Sequence, residues 1–313
     1  MKNRPFGNTG MNVSEVGLGA WQLANPDWGI NDKAEALKIV QKSLEAGCTF
    51  FDTAPGYGGG RSEELLGEGL KSVRKDIILC TKFSYYNEKH ESEWKAKHVR
   101  PVLEGSFKRL QTDYVDILLL HNPPRELMDG NASAELYAEM EQLKTEGKIR
   151  AYGVSLDWRV ELENVLDTTK SKAAEVFFNA LYQDCLPAFA KAQSQGMGLI
   201  VKVPLDSGWL SGRYRGNHKF DDVRSRWSPE VLKRRSDLVE KFAALVPEGT
   251  SMAHAALQFV LAQPEVSTVI PGAKTVEQAL DNFAAADKQL SAETVQAMRA
   301  LWTNEIESNP LPW

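Results

Sequence analysis

The chain contains 313 residues, of which 42% are hydrophobic and 25% are charged, and its formal net charge is −5 at pH 7. This apolar fraction is enough for a sizeable core, in one large domain or two smaller ones, and it argues against intrinsic disorder. Acidic and basic side chains are interspersed along the chain, a pattern that favours neither a nucleic acid nor an anionic membrane as the partner.

Cysteine usage and the N-terminal segment bear on the compartment. Cys48, Cys80 and Cys185 are widely spaced, and two of them lie in apolar runs typical of buried strands. This usage favours a reduced protein over a secreted one held together by disulfide bonds. The basic N-terminus leads into Gly7 and Gly10 instead of the apolar segment of a signal peptide, and no apolar run approaches membrane-spanning length. We therefore expect a cytoplasmic protein.

Short apolar runs alternate with longer segments of helical periodicity along the whole chain. Eight strands are predicted, at residues 16–19, 49–51, 77–81, 116–120, 151–154, 176–178, 199–203 and 268–270. Helical patterns follow most of them, as at residues 32–46, 62–71 and 133–145. The alternation predicts an α/β protein, a single-domain (β/α)8 TIM barrel over residues 1–313. A doubly wound open sheet uses the same alternation and is the alternative.

Two further segments lie outside this simple alternation. Residues 4–16 carry turn residues around Thr9 and Gly10, and they predict a β-hairpin at the barrel floor. Residues 206–247 are longer and more charged than a simple connection requires, and long loops in compact domains are usually functional. The alternative for their second half is a solvated surface excursion with a charged helix.

Four polar residues lie at or just beyond the carboxyl ends of three successive predicted strands: Asp52, Tyr57, Lys82 and His121. In a barrel this rim is where active sites assemble. Taken singly, each residue has a structural explanation, as a turn residue, a loop aromatic, a strand-end charge or a buried histidine. Together they predict a chemical site.

The four residues suit the reduction of a carbonyl by a hydride. The developing alkoxide needs a proton, which a tyrosine with an ordinary pKa near ~10 holds too tightly. Lys82 would lower the pKa of Tyr57, and Asp52 would supply the counter-charge that a buried lysine needs. His121 would orient the carbonyl oxygen. An alternative is an aldolase-like barrel in which Lys82 forms a Schiff base.

Metal catalysis is not predicted. The five histidines have no paired ligand spacing such as His-Glu-x-x-His.

Motifs along nearly the whole chain, in the same order, resemble those of the aldo-keto reductase family. The matching segments are FDTAPGYG at 51–58, SEELLG at 62–67, TK at 81–82, LLLHNP at 118–123, GVS at 153–155, PLDSGWLSG at 204–212 and IPGAKT at 270–275. The resemblance implies the (β/α)8 fold, a nicotinamide cofactor and a catalytic tetrad of Asp52, Tyr57, Lys82 and His121. We accordingly expect a small-molecule carbonyl or alcohol as substrate, and a monomer or weak homo-oligomer.

The segment after the last predicted strand bears on the cofactor. Thr275 and Gln278 predict a capping box at a helix start, and Lys274 beside it would attract phosphate. An ordinary capped surface helix is the alternative. In the family this segment holds the adenosine 2′-phosphate, which implies NADP(H), or possibly NAD(H) because Gln278 stands where arginine is common.

The resemblance also implies the remaining cofactor contacts, with residues 206–247 as an extended loop and helix that covers the cofactor. The residues assigned to cofactor binding are Gly19, Ala20, Trp21, Asp52, Ser155, Glu175, Lys202, Pro204, Leu205, Ser207, Gly208, Leu210, Gly272, Lys274, Thr275, Gln278 and Asn282.

Three positions depart from the family pattern. The family commonly has Asn after Ser155, Gln at position 175 and an aromatic residue at position 202, whereas this chain has Leu156, Glu175 and Lys202. We hypothesise that Glu175 and Lys202 pair beneath the nicotinamide ring, where they replace both the amide contact and the aromatic stack.

Side chains above the barrel are expected to decide the substrate. The residues assigned to substrate binding are Trp21, Trp28, Tyr57, Tyr85, Tyr86, His121 and Trp209. The alternative is that several of these aromatic residues serve packing or lie at the surface. The sequence therefore predicts hydride transfer between a nicotinamide cofactor and an aldehyde, a ketone or a sugar. A nicotinamide-binding regulatory subunit without significant turnover is the alternative function.

Overall fold

An antiparallel hairpin opens the chain and covers one end of a parallel sheet. The structure, a computed structural model, describes residues 1–24, 30, 32–86, 91–216, 218, 220 and 222–312. Strands β1 (Asn3–Pro5) and β2 (Asn12–Ser14) pair antiparallel. The Arg4 guanidinium donates hydrogen bonds to the carbonyls of Leu261 and Val266, at the amino end of the last barrel strand. The hairpin therefore lies at the barrel floor, as predicted.

Eight parallel strands follow, and each pairs with the next one along the chain. They are β3 (Leu18–Gly19), β4 (Phe50–Asp52), β5 (Ile78–Phe83), β6 (Val115–His121), β7 (Ile149–Leu156), β8 (Ala173–Phe177), β9 (Gly198–Lys202) and β10 (Val266–Val269). Parallel bridges from Val16 to Val269 and from Gly19 to Gly272 join the last strand to the first. The (β/α)8 barrel is confirmed, and the open-sheet alternative is wrong.

Helices connect the strands and cover the outside of the barrel. They are α1 (Lys33–Glu45), α2 (Arg61–Leu70), α3 (Ala96–Leu110), α4 (Ala134–Thr145), α5 (Arg159–Thr168), α6 (Phe189–Ser194), α7 (Pro229–Ala243), α8 (Met252–Leu261), α9 (Val276–Ala284) and α10 (Ala292–Glu305). The helices predicted at 32–46, 62–71 and 133–145 correspond to α1, α2 and α4. Asp32 caps α1, because its carboxylate accepts hydrogen bonds from the backbone N–H groups of Ala34 and Glu35.

Within the described parts of the chain, none of the helices combines the length and the hydrophobicity needed to cross a bilayer. Cys48, Cys80 and Cys185 are free and buried.

Both faces of the sheet are buried. On β6, Ile117 and Leu119 belong to the cluster inside the barrel, whereas Leu118 and Leu120 belong to the core between sheet and helices. This two-sided burial explains why the strand is continuously apolar. The inner cluster consists of Phe6, Met11, Val13, Phe50, Ile78, Cys80, Ile117, Leu119, Ala151, Ala173, Ile200 and Ile270.

One glycine lets two barrel strands approach closely. Gly153 on β7 pairs with Ala173 on β8, and a Cβ atom at position 153 would lie 1.6 Å from the Ala173 carbonyl oxygen. The next inward-facing pair along these strands is Ser155 and Glu175. The absence of a side chain at position 153 therefore sets the spacing of two site residues.

The segment at 206–247 contains two short 3-10 stretches and α7. On α7, Arg235 is fully buried and forms an ion pair with Asp206 at the start of the segment. The same guanidinium donates a hydrogen bond to the carbonyl of Pro312 at 2.8 Å. These contacts tie the loop, the helix and the C-terminal segment together. That the segment covers the cofactor stays a prediction.

Candidate active site

Six polar side chains face the inside of the barrel at its carboxyl end. Side chains alternate between the two faces of a strand, so a residue two positions beyond an inward-facing one also points inward. Asp52 follows Phe50 in this way, and Lys82 follows Cys80. The same alternation, counted from Leu119, Ala151, Ala173 and Ile200, places His121, Ser155, Glu175 and Lys202 on the inner face.

Lys82 is fully buried at the centre of this group. Its ammonium donates hydrogen bonds to both Asp52 carboxylate oxygens, at 2.6 and 2.7 Å, and to the Thr53 carbonyl at 3.1 Å. A second carboxylate, that of Glu175, lies 3.1 Å from the same ammonium. Burial lowers the pKa of Lys82, but the two carboxylates outweigh it and hold that pKa well above its ordinary value. Lys82 is therefore a cation.

Tyr57 lies in the loop that follows β4. Gly58 and Gly59 both adopt positive φ angles, 59° and 64°, and a Cβ atom on Gly58 would lie 2.2 Å from the Ala24 carbonyl. This turn directs the Tyr57 hydroxyl to within 3.4 Å of the Lys82 ammonium. The predicted neighbourhood of phenol and ammonium is therefore present.

Lys82 lowers the pKa of Tyr57, as predicted, but it does not make this phenol more acidic than an ordinary tyrosine. Burial raises the pKa of Tyr57, and although Lys82 lowers it, Asp52 and Glu175 raise it again. The net pKa lies well above that of an ordinary tyrosine. Sequence reasoning counted the cation and missed both the desolvation and the second carboxylate.

His121 lies beside Tyr57 at the end of β6. The two rings meet edge to face, with centroids 5.7 Å apart. Burial lowers the pKa of His121 to about 3, and the positive charge of Lys82 contributes to the decrease. The imidazole is therefore neutral at physiological pH. A neutral imidazole carries one N–H donor, as the predicted orienting role requires.

The hypothesised direct pair of Glu175 and Lys202 is not formed. The Ser155 hydroxyl lies between them, at 3.0 Å from Glu175 Oε1 and 2.9 Å from the Lys202 ammonium. The Lys202 ammonium also lies 2.9 Å from Asp157 Oδ1 and 2.9 Å from the Asn122 side-chain oxygen. Glu175 instead pairs with Lys82, because the two side chains meet across the barrel interior.

Two residues that directly follow strands, Asn122 of this network and Val203, were not assigned to the site from the sequence. Asn122 directly follows β6 and has a positive φ of 50°. Val203 directly follows β9 and has a φ of 55°, which is rare for a β-branched residue. Each of these residues precedes a proline, Pro123 or Pro204. Such a pair at the carboxyl end of a strand is a local sequence signal that could have identified both positions.

A cavity of about 450 Å³ opens above this charged group. The predicted cofactor residues that line it are Gly19, Trp21, Asp52, Glu175, Lys202, Pro204, Leu205, Ser207, Gly208, Gly272, Lys274, Gln278 and Asn282, and Tyr57 lines it too. Lining residues that sequence reasoning missed include Gln22, Val203, Arg213, Tyr214, Arg224 and Asp281.

One end of the cavity is rich in cations. Thr275 caps α9, as predicted, while the Gln278 side chain accepts a hydrogen bond from the backbone N–H of Lys274 at 2.9 Å. Burial lowers the pKa of Lys274, and the nearby Arg224 and Arg213 lower it further. A helix N-terminus with three neighbouring cations is complementary to a phosphate group.

The cations at this end come from distant parts of the chain. The Arg224 guanidinium lies over the Tyr214 ring, 4.1 Å from its centroid, and pairs with Asp222. Arg224 and Arg213 belong to the loop after β9, whereas Lys274 precedes α9. Only the folded chain brings them together.

Several residues assigned to substrate or cofactor lie elsewhere. Trp209 is fully buried, and its ring packs against those of Tyr214 and Phe220. Its assignment to substrate binding stays a prediction. Ala20 and Leu210 are likewise fully buried in the core.

Of the remaining aromatic residues assigned to substrate binding, Tyr85 and Tyr86 are not among the residues that line the cavity. Tyr85 stacks on His98 with ring centroids 4.0 Å apart. Tyr86 is 61% exposed, which leaves its surface accessible. Trp21 lines the cavity. The assignment of Trp28 lies outside the described residues.

Comparisons with known proteins agree with this architecture. The Aldo/keto reductase family model matches residues 15–303. The chain is 32% identical to L-galactose dehydrogenase of Arabidopsis thaliana, with 98% of each chain covered, and 27% identical to the NADH-specific methylglyoxal reductase of Escherichia coli, with 96% of this chain and 98% of the relative covered. A solved aldo-keto reductase of Bacillus halodurans in its holo form superimposes with a TM-score of 0.82, at 28% identity and 96% coverage of both chains. The chain therefore belongs to the aldo/keto reductase family.

Proposed function

We propose that the protein transfers a hydride between a nicotinamide cofactor and a carbonyl or alcohol substrate, with Tyr57 as general acid and base. The observation that carries the proposal is the Tyr57 hydroxyl, which lies 3.4 Å from a fully buried ammonium beside the cavity. The cofactor, when bound, supplies or accepts the hydride. The protein supplies the proton.

Each residue near Tyr57 has a separate part in the proton step. In the reduction, the Tyr57 O–H donates its proton to the carbonyl oxygen as negative charge develops there. The Lys82 ammonium then stabilises the phenolate, and Asp52 holds that ammonium through two hydrogen bonds. The neutral His121 donates a hydrogen bond to the same carbonyl oxygen and so favours the transition state. In the oxidation, the proton moves in the opposite direction.

The cavity fits an anionic dinucleotide. Its cation-rich end, with Lys274, Arg213 and Arg224 near the start of α9, suits the phosphates. We infer that NADP(H) is preferred, because three cations at one site favour an additional phosphate, and that NAD(H) is also accepted. The Escherichia coli relative is named as NADH-specific, which supports the acceptance of NAD(H).

The contacts of Lys82 argue against the Schiff-base alternative. A nucleophilic lysine must lose its proton, yet two carboxylates hold the pKa of Lys82 well above its ordinary value. The amine is also fully enclosed. A cationic, inaccessible lysine suits an electrostatic role.

A substrate panel tests the proposal. L-Galactose and methylglyoxal, chosen from the names of two relatives, are assayed by cofactor absorbance with NADPH, NADH and their oxidised forms, together with further aldoses, aldehydes and ketones. Tyr57→Phe should lose about a hundredfold or more of the turnover and keep cofactor binding, measured by fluorescence. Tyr114→Phe is the matched control and should keep activity, because Tyr114 directly precedes the amino end of β6, opposite the site.

Two results would contradict the proposal. Unchanged turnover in Tyr57→Phe would remove the phenol from the mechanism. Tight cofactor binding without turnover across the panel would favour the regulatory alternative.

A further inference from the structure

Two buried carboxylates share one ammonium at the bottom of the active site. Asp52 contacts Lys82 at 2.6 and 2.7 Å, and Glu175 contacts it at 3.1 Å. Oxygen atoms of the two carboxylates lie within 4.8 Å of each other. Burial and the charge of Glu175 raise the pKa of Asp52 to about 8. Both carboxylates are therefore charged only above that pH, where Asp52 neutralises Lys82 and Glu175 adds an excess negative charge close to Tyr57.

A second cation balances that excess from the other side. The Glu175 carboxylate accepts a hydrogen bond from the Ser155 hydroxyl, and the hydroxyl accepts one from Lys202. Asp157, whose side chain is 27% exposed, pairs with Lys202, which lines the cavity. From the buried Asp52 to the partly exposed Asp157, the side chains therefore alternate in charge, in the order Asp52, Lys82, Glu175, Lys202 and Asp157. The departures from the family pattern at positions 175 and 202 compensate each other in charge.

We propose that Glu175 is a positioning residue of the catalytic group: its carboxylate shares the Lys82 ammonium with Asp52 and makes the Tyr57 hydroxyl a weaker proton donor, while Lys202 limits this effect through Ser155. The inference rests on the proposed function, because it assigns Glu175 an influence on the acid and base of that reaction.

The physical reason is the charge of the phenolate. A nearby negative charge disfavours the ionised form of a phenol, and Glu175 raises the pKa of Tyr57 in addition to the effect of burial. The charged and titratable groups that face Glu175 are Asp52, Tyr57, Cys80, Lys82, His121 and Lys202. Burial raises the pKa of Glu175, but Lys82, Lys202 and His121 lower it to about 2, so Glu175 carries its charge throughout the working pH range.

Glu175→Gln and Lys202→Met test the inference, because they change the charge in opposite directions. In the pH profile of kcat/KM for carbonyl reduction, activity falls at high pH as Tyr57 ionises. We expect Glu175→Gln to shift the midpoint of this decline to lower pH by about one to two units. Lys202→Met should shift the midpoint to higher pH by a smaller amount. The double variant should return close to the wild type.

A matched control separates charge at this site from loss of any buried carboxylate. Glu63 is fully buried and pairs with Arg109 and the Thr81 hydroxyl, away from Lys82. Glu63→Gln should leave the pH midpoint of the decline in kcat/KM unchanged. A fall in kcat without a shift in Glu175→Gln, or equal shifts in the Glu63 and Glu175 variants, would overturn the inference.

A readout without turnover keeps the two proposals apart. In protein labelled with 13Cζ-tyrosine, the Tyr57 resonance is identified by its loss in Tyr57→Phe. Its movement towards the phenolate position should begin at lower pH in Glu175→Gln than in the wild type, with or without cofactor. If the panel shows no turnover but this shift is present, the proposed function fails and the influence of Glu175 on Tyr57 stands. If turnover is found and neither measurement shifts, the influence of Glu175 is refuted and the proposed function stands.

Discussion

Replacing Lys82 with methionine removes the ammonium that Asp52 and Glu175 share. Methionine has a similar length and apolar volume, so packing changes little, but two fully buried carboxylates then lose their nearest cation. Removing one partner of a buried ion pair typically costs about 3–5 kcal/mol in the free energy of unfolding. Lys202 reaches Glu175 only through Ser155 and does not replace the missing charge.

The cost of Lys82→Met in the free energy of unfolding should increase as the pH rises. In the wild type, burial and Glu175 raise the pKa of Asp52, whereas Lys82 is a main reason why the pKa of Glu175 is low. Without Lys82, both folded carboxyls have raised pKa values, so the folded state binds one more proton than in the wild type. The protonated carboxyls therefore stabilise the folded variant at acidic pH, and its free energy of unfolding falls as the pH rises. The additional loss is about 1.4 kcal/mol per pH unit, which reaches about 4 kcal/mol over three units.

Urea unfolding followed by tryptophan fluorescence, at pH values from about 5 to 8, measures this difference. The unfolding midpoints of Lys82→Met and the wild type should converge at the acidic end and separate steadily above it. Lys82→Met/Glu175→Gln, which leaves a single carboxylate, should restore the pH dependence of the wild type. Parallel curves for the wild type and Lys82→Met would refute the reasoning, because they would mean that the two carboxylates do not depend on the ammonium.

Two further predictions concern the cofactor end of the cavity and the loop beside it. Lys274→Met should raise the Kd for NADPH about tenfold, the value of one charge-assisted contact, and change the Kd for NADH much less; equal weakening in a fluorescence titration would place Lys274 away from the additional phosphate. Arg235→Met should destabilise the protein by about 3–5 kcal/mol, because Asp206 is then buried without its cation. Lys233→Met, at a position of the same helix whose side chain is 72% exposed, is the control, and similar urea midpoints for the two variants would contradict the prediction.

The barrel and the catalytic group were predictable because both depend on local periodicity. Apolar runs marked the strands, and the carboxyl ends of parallel strands meet at one rim, which brings Asp52, Lys82 and His121 together whatever the loops do. Tyr57 could be added because its loop is short.

Contacts across the barrel were not predictable in the same way. Glu175 and Lys202 lie on neighbouring strands, and their nearness on the sheet suggested a direct pair. The choice of Lys82 as the partner of Glu175 depends on side-chain length and on the Ser155 hydroxyl between them. The loop position of Trp209 likewise did not reveal that its ring is enclosed by other rings.

The missing side chain at position 153 gives the barrel an unexpected point of vulnerability. Gly153 touches no residue of the charged group, yet even a methyl group there would collide with the Ala173 backbone and push two strands apart. Two residues further along each strand, the Ser155 and Glu175 side chains would move apart by a similar distance and lose their hydrogen bond. Tolerance to substitution in this protein therefore has to be judged from the spacing of its strands, since damage to the site can begin at a residue that has no functional group.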